Sequence, residues 1–165
     1  MARATRAIRL IVLTVTLAAC AGAGLSVQRA TEGPTADELF LARFIKGYGR
    51  LPSFNETVAW REQFDARVSE YISRQPGMVT SPRVTKFRVE RRVAVGMTKD
   101  EVTLLAGLPE AIVADEKTME AAAKQFWPDV KKSAKEMWTY PSGWQFYFDG
   151  DRLVDLTVTG RQPLE

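Results

Sequence analysis

The sequence predicts an α+β domain: helices packed on one face of a small antiparallel sheet, in αα-βββ order, behind an extra N-terminal helical pair. Three observations predict it. Capping boxes at Thr35–Glu38, Ser53–Glu56 and Thr98–Glu101 each precede apolar residues at helical spacing. Trp144, Phe146 and Phe148 alternate with Gln145 and Tyr147, as along a strand. Asp149-Gly150 then signals a two-residue hairpin, and Val154, Leu156 and Val158 alternate beyond it.

Residues 1–19 read as a secretory signal. Arg3, Arg6 and Arg9 have no acid among them, and the apolar run from Ile8 to Leu17 is too short to span a bilayer stably. Leu17-Ala18-Ala19-Cys20 resembles the bacterial lipobox, and Cys20 is the only cysteine of the 165 residues. The resemblance implies cleavage before Cys20 and its acylation. Ala21 in place of Asp implies, by the rule of enteric-type bacteria, delivery to the outer membrane, and the expected location is lipid-anchored there, facing the periplasm. Several acyl chains hold far more firmly than one.

The signal also explains the charge. The whole chain carries +3 and a pI near 9.1. Removal of the signal takes away three arginines and leaves 20 basic and 20 acidic residues. Nucleic acid is not a sensible partner for such a secreted protein. The chain has no His, which excludes a Ser-His-Asp triad and His-ligated metal. A single, acylated Cys excludes disulfides and thiol catalysis.

Residues 20–34 are small and polar and read as a flexible tether. Residues 35–77 read as the helical pair: a short helix ending near Gly47, and a longer one with Trp60, Phe64, Val68 and Ile72 on one face. Pro76-Gly77 stops the second helix. Residues 84–93 alternate and read as a half-buried strand or extended linker. Arg83, Lys86, Arg88 and Arg92 are candidate contacts to anionic lipid, the alternative being a solvated face with local ion pairs.

Residues 84–160 form the main domain, with a helical insertion over 110–136. Thr98 caps a helix, Glu101 reaches back to it, Val102 faces the sheet, Gly107 supplies a positive φ and Pro109 prevents continuation. The insertion reads as a helix from Glu116 to Phe126, with Pro128 and a basic run behind it. Trp138 opens the aromatic strands, Phe146 and Phe148 line the sheet, and Gly150 turns the hairpin. These are fold-specifying residues with no chemistry of their own.

In this order, Gly96-Met97-Thr98, Leu108-Pro109, Trp138-Thr139-Tyr140 and Phe146 to Val154 resemble the SmpA/OmlA (BamE-like) outer-membrane lipoprotein domain. The resemblance covers about residues 90–159. It implies a non-enzymatic envelope lipoprotein that docks beside the β-barrel assembly machinery and needs no cofactor. The chain departs from the family in the helical pair and in the length of the 110–136 segment. Trp127 and Tyr140, with Lys131, Lys132 and Lys135, are the candidate partner-binding residues. An alternative is a periplasmic inhibitor or ligand-binding lipoprotein of similar shape, using the insertion as a plug. An enzyme is the least supported class: Asp149, Asp151 and Asp155 read as turn and solvent-facing positions, leaving no catalytic or metal-ligating residue to name.

Overall fold

A computed structural model describes residues 25–78, 81 and 83–161. The signal segment and Cys20 lie outside the described residues. None of the helices described is long and apolar enough to cross a membrane.

The capping boxes open helices where the sequence puts them. Thr35 caps α1 (Ala36–Tyr48), Ser53 caps α2 (Phe54–Ser73) and Thr98 caps α4 (Lys99–Ala106); in each, the hydroxyl accepts the N–H of the third helical residue, whose carboxylate returns to the cap N–H. The first helix runs through Gly47 and ends at Gly49, whose φ is +68. On α2, Phe64, Val68 and Ile72 are buried. Trp60 stacks between Phe40 of α1 and Phe64, at 4.5 and 5.4 Å, and Arg61 meets Asp37, so the two helices touch along α1's first turns.

The main sheet has five antiparallel strands in the order β1-β7-β6-β5-β4. They are β1 (Leu25–Ala30), β4 (Ala111–Val113), β5 (Glu136–Tyr140), β6 (Trp144–Asp149) and β7 (Arg152–Arg161). A two-stranded ribbon joins β2 (Glu32–Thr35) to β3 (Arg92–Ala94). Tyr147 faces Asp155 while Phe148 faces Leu153, so Val154 is the extra residue of a bulge.

Three expectations are corrected here. The tether over 20–34 is too long, because residues 25–30 pair with β7 along their whole length and 32–35 pair with β3. Adding a strand to an edge needs backbone groups, not apolar side chains, so the small polar composition hid it; only Val27 is buried in β1. The stretch 84–93 is not a strand. It is a helical turn, α3 (Arg83–Thr85), running into a π-helical turn (Lys86–Glu90), and only Arg92 and Val93 enter β3. The winding buries Phe87 completely and leaves Val89 74% exposed, where a strand would align them.

The third correction concerns the layers. Helices cover both faces of the sheet, not one. Val102 and Leu105 of α4 pack with Phe64, Phe87, Trp138, Phe146 and Phe148 on the first face. The insertion forms α5 (Glu116–Ala123), a tight turn at Lys124–Phe126 and α6 (Trp127–Val130), with Pro128 inside α6. Met119, Ala123, Trp127 and Val130 pack on Met137 and Tyr147 of the second face.

Two glycines are required. Gly107 ends α4 at φ +70, with Tyr140 Oη donating to its carbonyl at 3.0 Å. Gly143, at φ +78, lies so close to β7 that a Cβ would sit 2.3 Å from the Thr159 carbonyl oxygen. At Gly107 the nearest atom to an added Cβ is the end of the Arg43 side chain, at 2.8 Å, a side chain and not backbone. We therefore expect Gly107→Val to cost about 1–3 kcal/mol and Gly143→Ala to cost more, since backbone cannot step aside. Thermal melts of both variants check the order.

Candidate partner-binding surface

The residues expected to bind a partner are divided by the structure. Trp127 and Tyr140 are buried, at 5% and 3% exposure, and are corrected to core positions. Trp127 packs in the second layer because α6 turns it onto Tyr147 and Met137. Tyr140 lies beneath the Arg43 guanidinium and above Gly107. Lys131, Lys132 and Lys135 are exposed, and Lys132 pairs with Asp129 at 2.6 Å.

The basic stretch is held inward. Arg83 reaches the buried Glu101 at 2.5 Å. Lys86 bridges Glu32 and Glu90 at 2.7 and 2.5 Å, and Arg92 donates to the Gly33 carbonyl at 2.8 Å. Arg88 is exposed with no ion pair among the described residues. Three of the four candidate lipid contacts thus serve local bonds, as in the alternative of a face with ion pairs.

The exposed apolar side chains stand elsewhere. In the turn joining α1 to α2, Tyr48, Leu51 and Phe54 are 70%, 67% and 81% exposed. The turn is not loose. Arg50 makes a two-pronged pair with Glu56 at 2.9 and 2.7 Å and lies over the Phe44 and Tyr48 rings. The Arg50 guanidinium, with the Ser53 N–H and hydroxyl, holds the Glu56 carboxyl down at about 2. Large apolar groups on a braced turn are the arrangement of a contact surface. The helical period held no signal for it: Phe54, the first residue of α2, lies 18 residues, or five full turns, before Ile72 and so shares its angle on the helix. A second exposed apolar site is the edge strand β4, with Ile112 60% and nearby Leu108 76% exposed.

The deepest polar cluster lies between β1 and β7. Arg29 Nε donates to both Asp155 oxygens at 3.0 Å, and its far nitrogen is 3.5 Å from Asp129 of α6. Asp155, expected to face solvent, is 4% exposed, because β1 and α6 cover that face. Beside it, Tyr147 Oη and Thr157 Oγ1 lie 3.1 Å apart, and Thr157 donates to Gln145 at 3.0 Å. An open groove of about 790 Å³ runs past Arg29, Val95, Val154 and Asp155. Arg29 is already engaged by two carboxylates, so the groove presents it to no anion. Among the described residues, no group of three His, Cys, Asp or Glu side chains is arranged to hold a metal ion.

Edge protection is visible on β1. Lys124 Nζ and Gln125 Nε2, from the turn after α5, donate to the Leu25 and Val27 carbonyls at 3.4 and 3.0 Å. Comparison with protein-family models, curated proteins and solved structures finds no match to this chain.

Burial raises two hydroxyl pKa values. Tyr147 is pushed up to about 12 from an ordinary 10, and Tyr140 is raised further. The folded state keeps protons that the unfolded chain releases above pH 10, so this contribution is complete below pH 10 and is lost as pH rises toward 12. We expect stability to fall over that window and Tyr147→Phe to flatten part of the fall. Denaturant titrations between pH 9 and 12, with tyrosinate absorbance, measure both.

Proposed function

We propose that this chain is a lipid-anchored, non-enzymatic protein of the outer membrane, facing the periplasm. In this reading it acts as a scaffold or accessory factor in outer-membrane assembly or integrity, through protein–protein contacts. The observation that carries the reading is the lipobox: the only Cys sits at the one position that acylation requires, behind a basic and then apolar segment.

The SmpA/OmlA resemblance supports it, and the elements that carry the resemblance are formed. Thr98 and Glu101 close a capping box, Gly107 stops the helix, and the Trp138 and Phe146 strands are adjacent. The resemblance makes the β-barrel assembly machinery the expected partner. Tyr48, Leu51 and Phe54 are the proposed contact, in place of Trp127 and Tyr140. Against the inhibitor reading stands the 110–136 segment, which packs onto the sheet instead of projecting as a plug.

The test is crosslinked affinity purification from solubilised membranes. Wild-type protein is expected to return barrel-assembly proteins. A Tyr48→Ser/Phe54→Ser variant, replacing side chains that are 70% and 81% exposed, should melt like wild type but recover at least tenfold less. Cys20→Ser should leave the membrane fraction. A soluble enzyme as the main recovered partner would reject the scaffold reading.

A further inference from the structure

We infer that the end of the sheet at which β1 begins lies directly on the phospholipid surface, with Leu25, Ile45 and Leu108 at the contact. The inference rests on the acylation of Cys20 proposed above. It concerns which face of the protein meets lipid.

The first argument is reach. The described fold starts at Leu25, which is already hydrogen-bonded in a strand opposite Arg161. Four residues separate it from Cys20, and the five steps of chain between them span at most about 18 Å even when fully extended. A domain on so short a lead cannot stand clear of the bilayer.

The second argument is register. Antiparallel pairing gathers one set of loops at the Leu25 end. There β7 finishes, β6 starts at Trp144, β5 finishes at Tyr140 and β4 starts at Ala111. Ile45 and Lys46 of α1 lie against Glu110 and the Pro141–Gly143 turn, around a groove of about 570 Å³. The other end holds the Asp149–Arg152 hairpin, the start of β5 and the start of α5.

The third argument is the chemistry of the two ends. At the Leu25 end, Leu25 is 59%, Leu108 76% and Ile45 42% exposed, and Lys124 and the Lys46–Glu110 pair stand beside them. At the hairpin end the exposed residues are charged with both signs: Asp115, Glu116, Asp149 and Asp151 beside Lys117, Lys135 and Arg152. Exposed apolar side chains with a flanking lysine suit the headgroup boundary, whereas an end built of exposed charges loses hydration if pressed into it. The basic stretch from Arg83 to Arg92 is not at this contact: Lys86 pairs with Glu32, beyond the far end of β1 and about 20 Å from Leu25 along the strand.

Energy transfer tests the orientation. Acylated Cys20 offers no thiol, so Ser142→Cys and Asp149→Cys each give one labelling site, at opposite ends of β6. The lipidated protein is placed in phosphatidylethanolamine–phosphatidylglycerol vesicles bearing a headgroup acceptor. The Ser142 dye should lie closer to the surface by about 15–20 Å. Ile45→Glu/Leu108→Glu, if it melts like wild type, should remove most of that difference while the protein stays anchored. Equal distances, or a nearer Asp149 dye, overturn the inference; so does contact of the Leu25 end with a protein or a second copy that holds both dyes away from lipid. The mass of the N-terminal peptide separates the two failures. An unacylated Cys20 rejects the anchor itself, whereas an acylated Cys20 with equal distances rejects only the orientation.

Discussion

Phe146, Tyr147 and Phe148 are consecutive in the central strand, and each is wholly shielded from solvent. A strand sends neighbouring side chains to opposite faces, so this burial demands cover on both sides of the sheet. Phe146 and Phe148 meet α4, α2 and Phe87; Tyr147 meets α5 and α6. The 110–136 segment is therefore a required layer. Removing it would expose Tyr147, Met137 and the Thr157 hydroxyl together. The same constraint explains β1, which widens the sheet and brings Arg29 over Asp155, so that a carboxylate under the second layer is paired.

On the first face, Glu101 has the comparable role. Its carboxylate is buried, and one oxygen accepts both the Thr98 N–H at 2.8 Å and Arg83 at 2.5 Å. A buried carboxylate needs such partners, because desolvation otherwise disfavours its charge. The capping box that starts α4 thus also fixes the segment bearing Phe87, which fills the core between α2 and β3. Arg83 was read as a surface cation because sequence shows its charge but not the carboxylate waiting 18 residues later.

What was legible divides along physical lines. Caps, the apolar stripe of α2 and the Asp149-Gly150 hairpin depend on residues within a turn or two of one another, and their elements formed as read. Strand addition by Leu25–Ala30 depends on a backbone partner more than 120 residues away, which a local pattern cannot hold. The period of 84–93 misled for another reason. Alternating charges imitate a strand, but Phe87 and Val93 both had apolar sites to fill, and winding the chain before Val93 buried Phe87 while releasing Val89. Trp127 stands near the polar Gln125 and Asp129, but in a helical turn such neighbours point elsewhere and say little about where Trp127 points.

Charge and apolar exposure separate the surface by task. Most described cations of the N-terminal half are bound to specific acids: Arg50 to Glu56, Arg61 to Asp37, Lys86 to Glu32 and Glu90, Arg91 to Asp65. Local pairing of this kind cancels field at a distance, and residues 20–165, with 20 charges of each sign, have little net field to steer a partner. In the proposed scaffold role, recognition would then fall to short-range apolar contact. That contact is available at a braced turn, Tyr48 to Phe54, and at the end of the sheet beside Leu25. Under the proposed acylation of Cys20, long-range steering is not needed, because the anchor would set the protein's concentration at the surface and leave only a two-dimensional search.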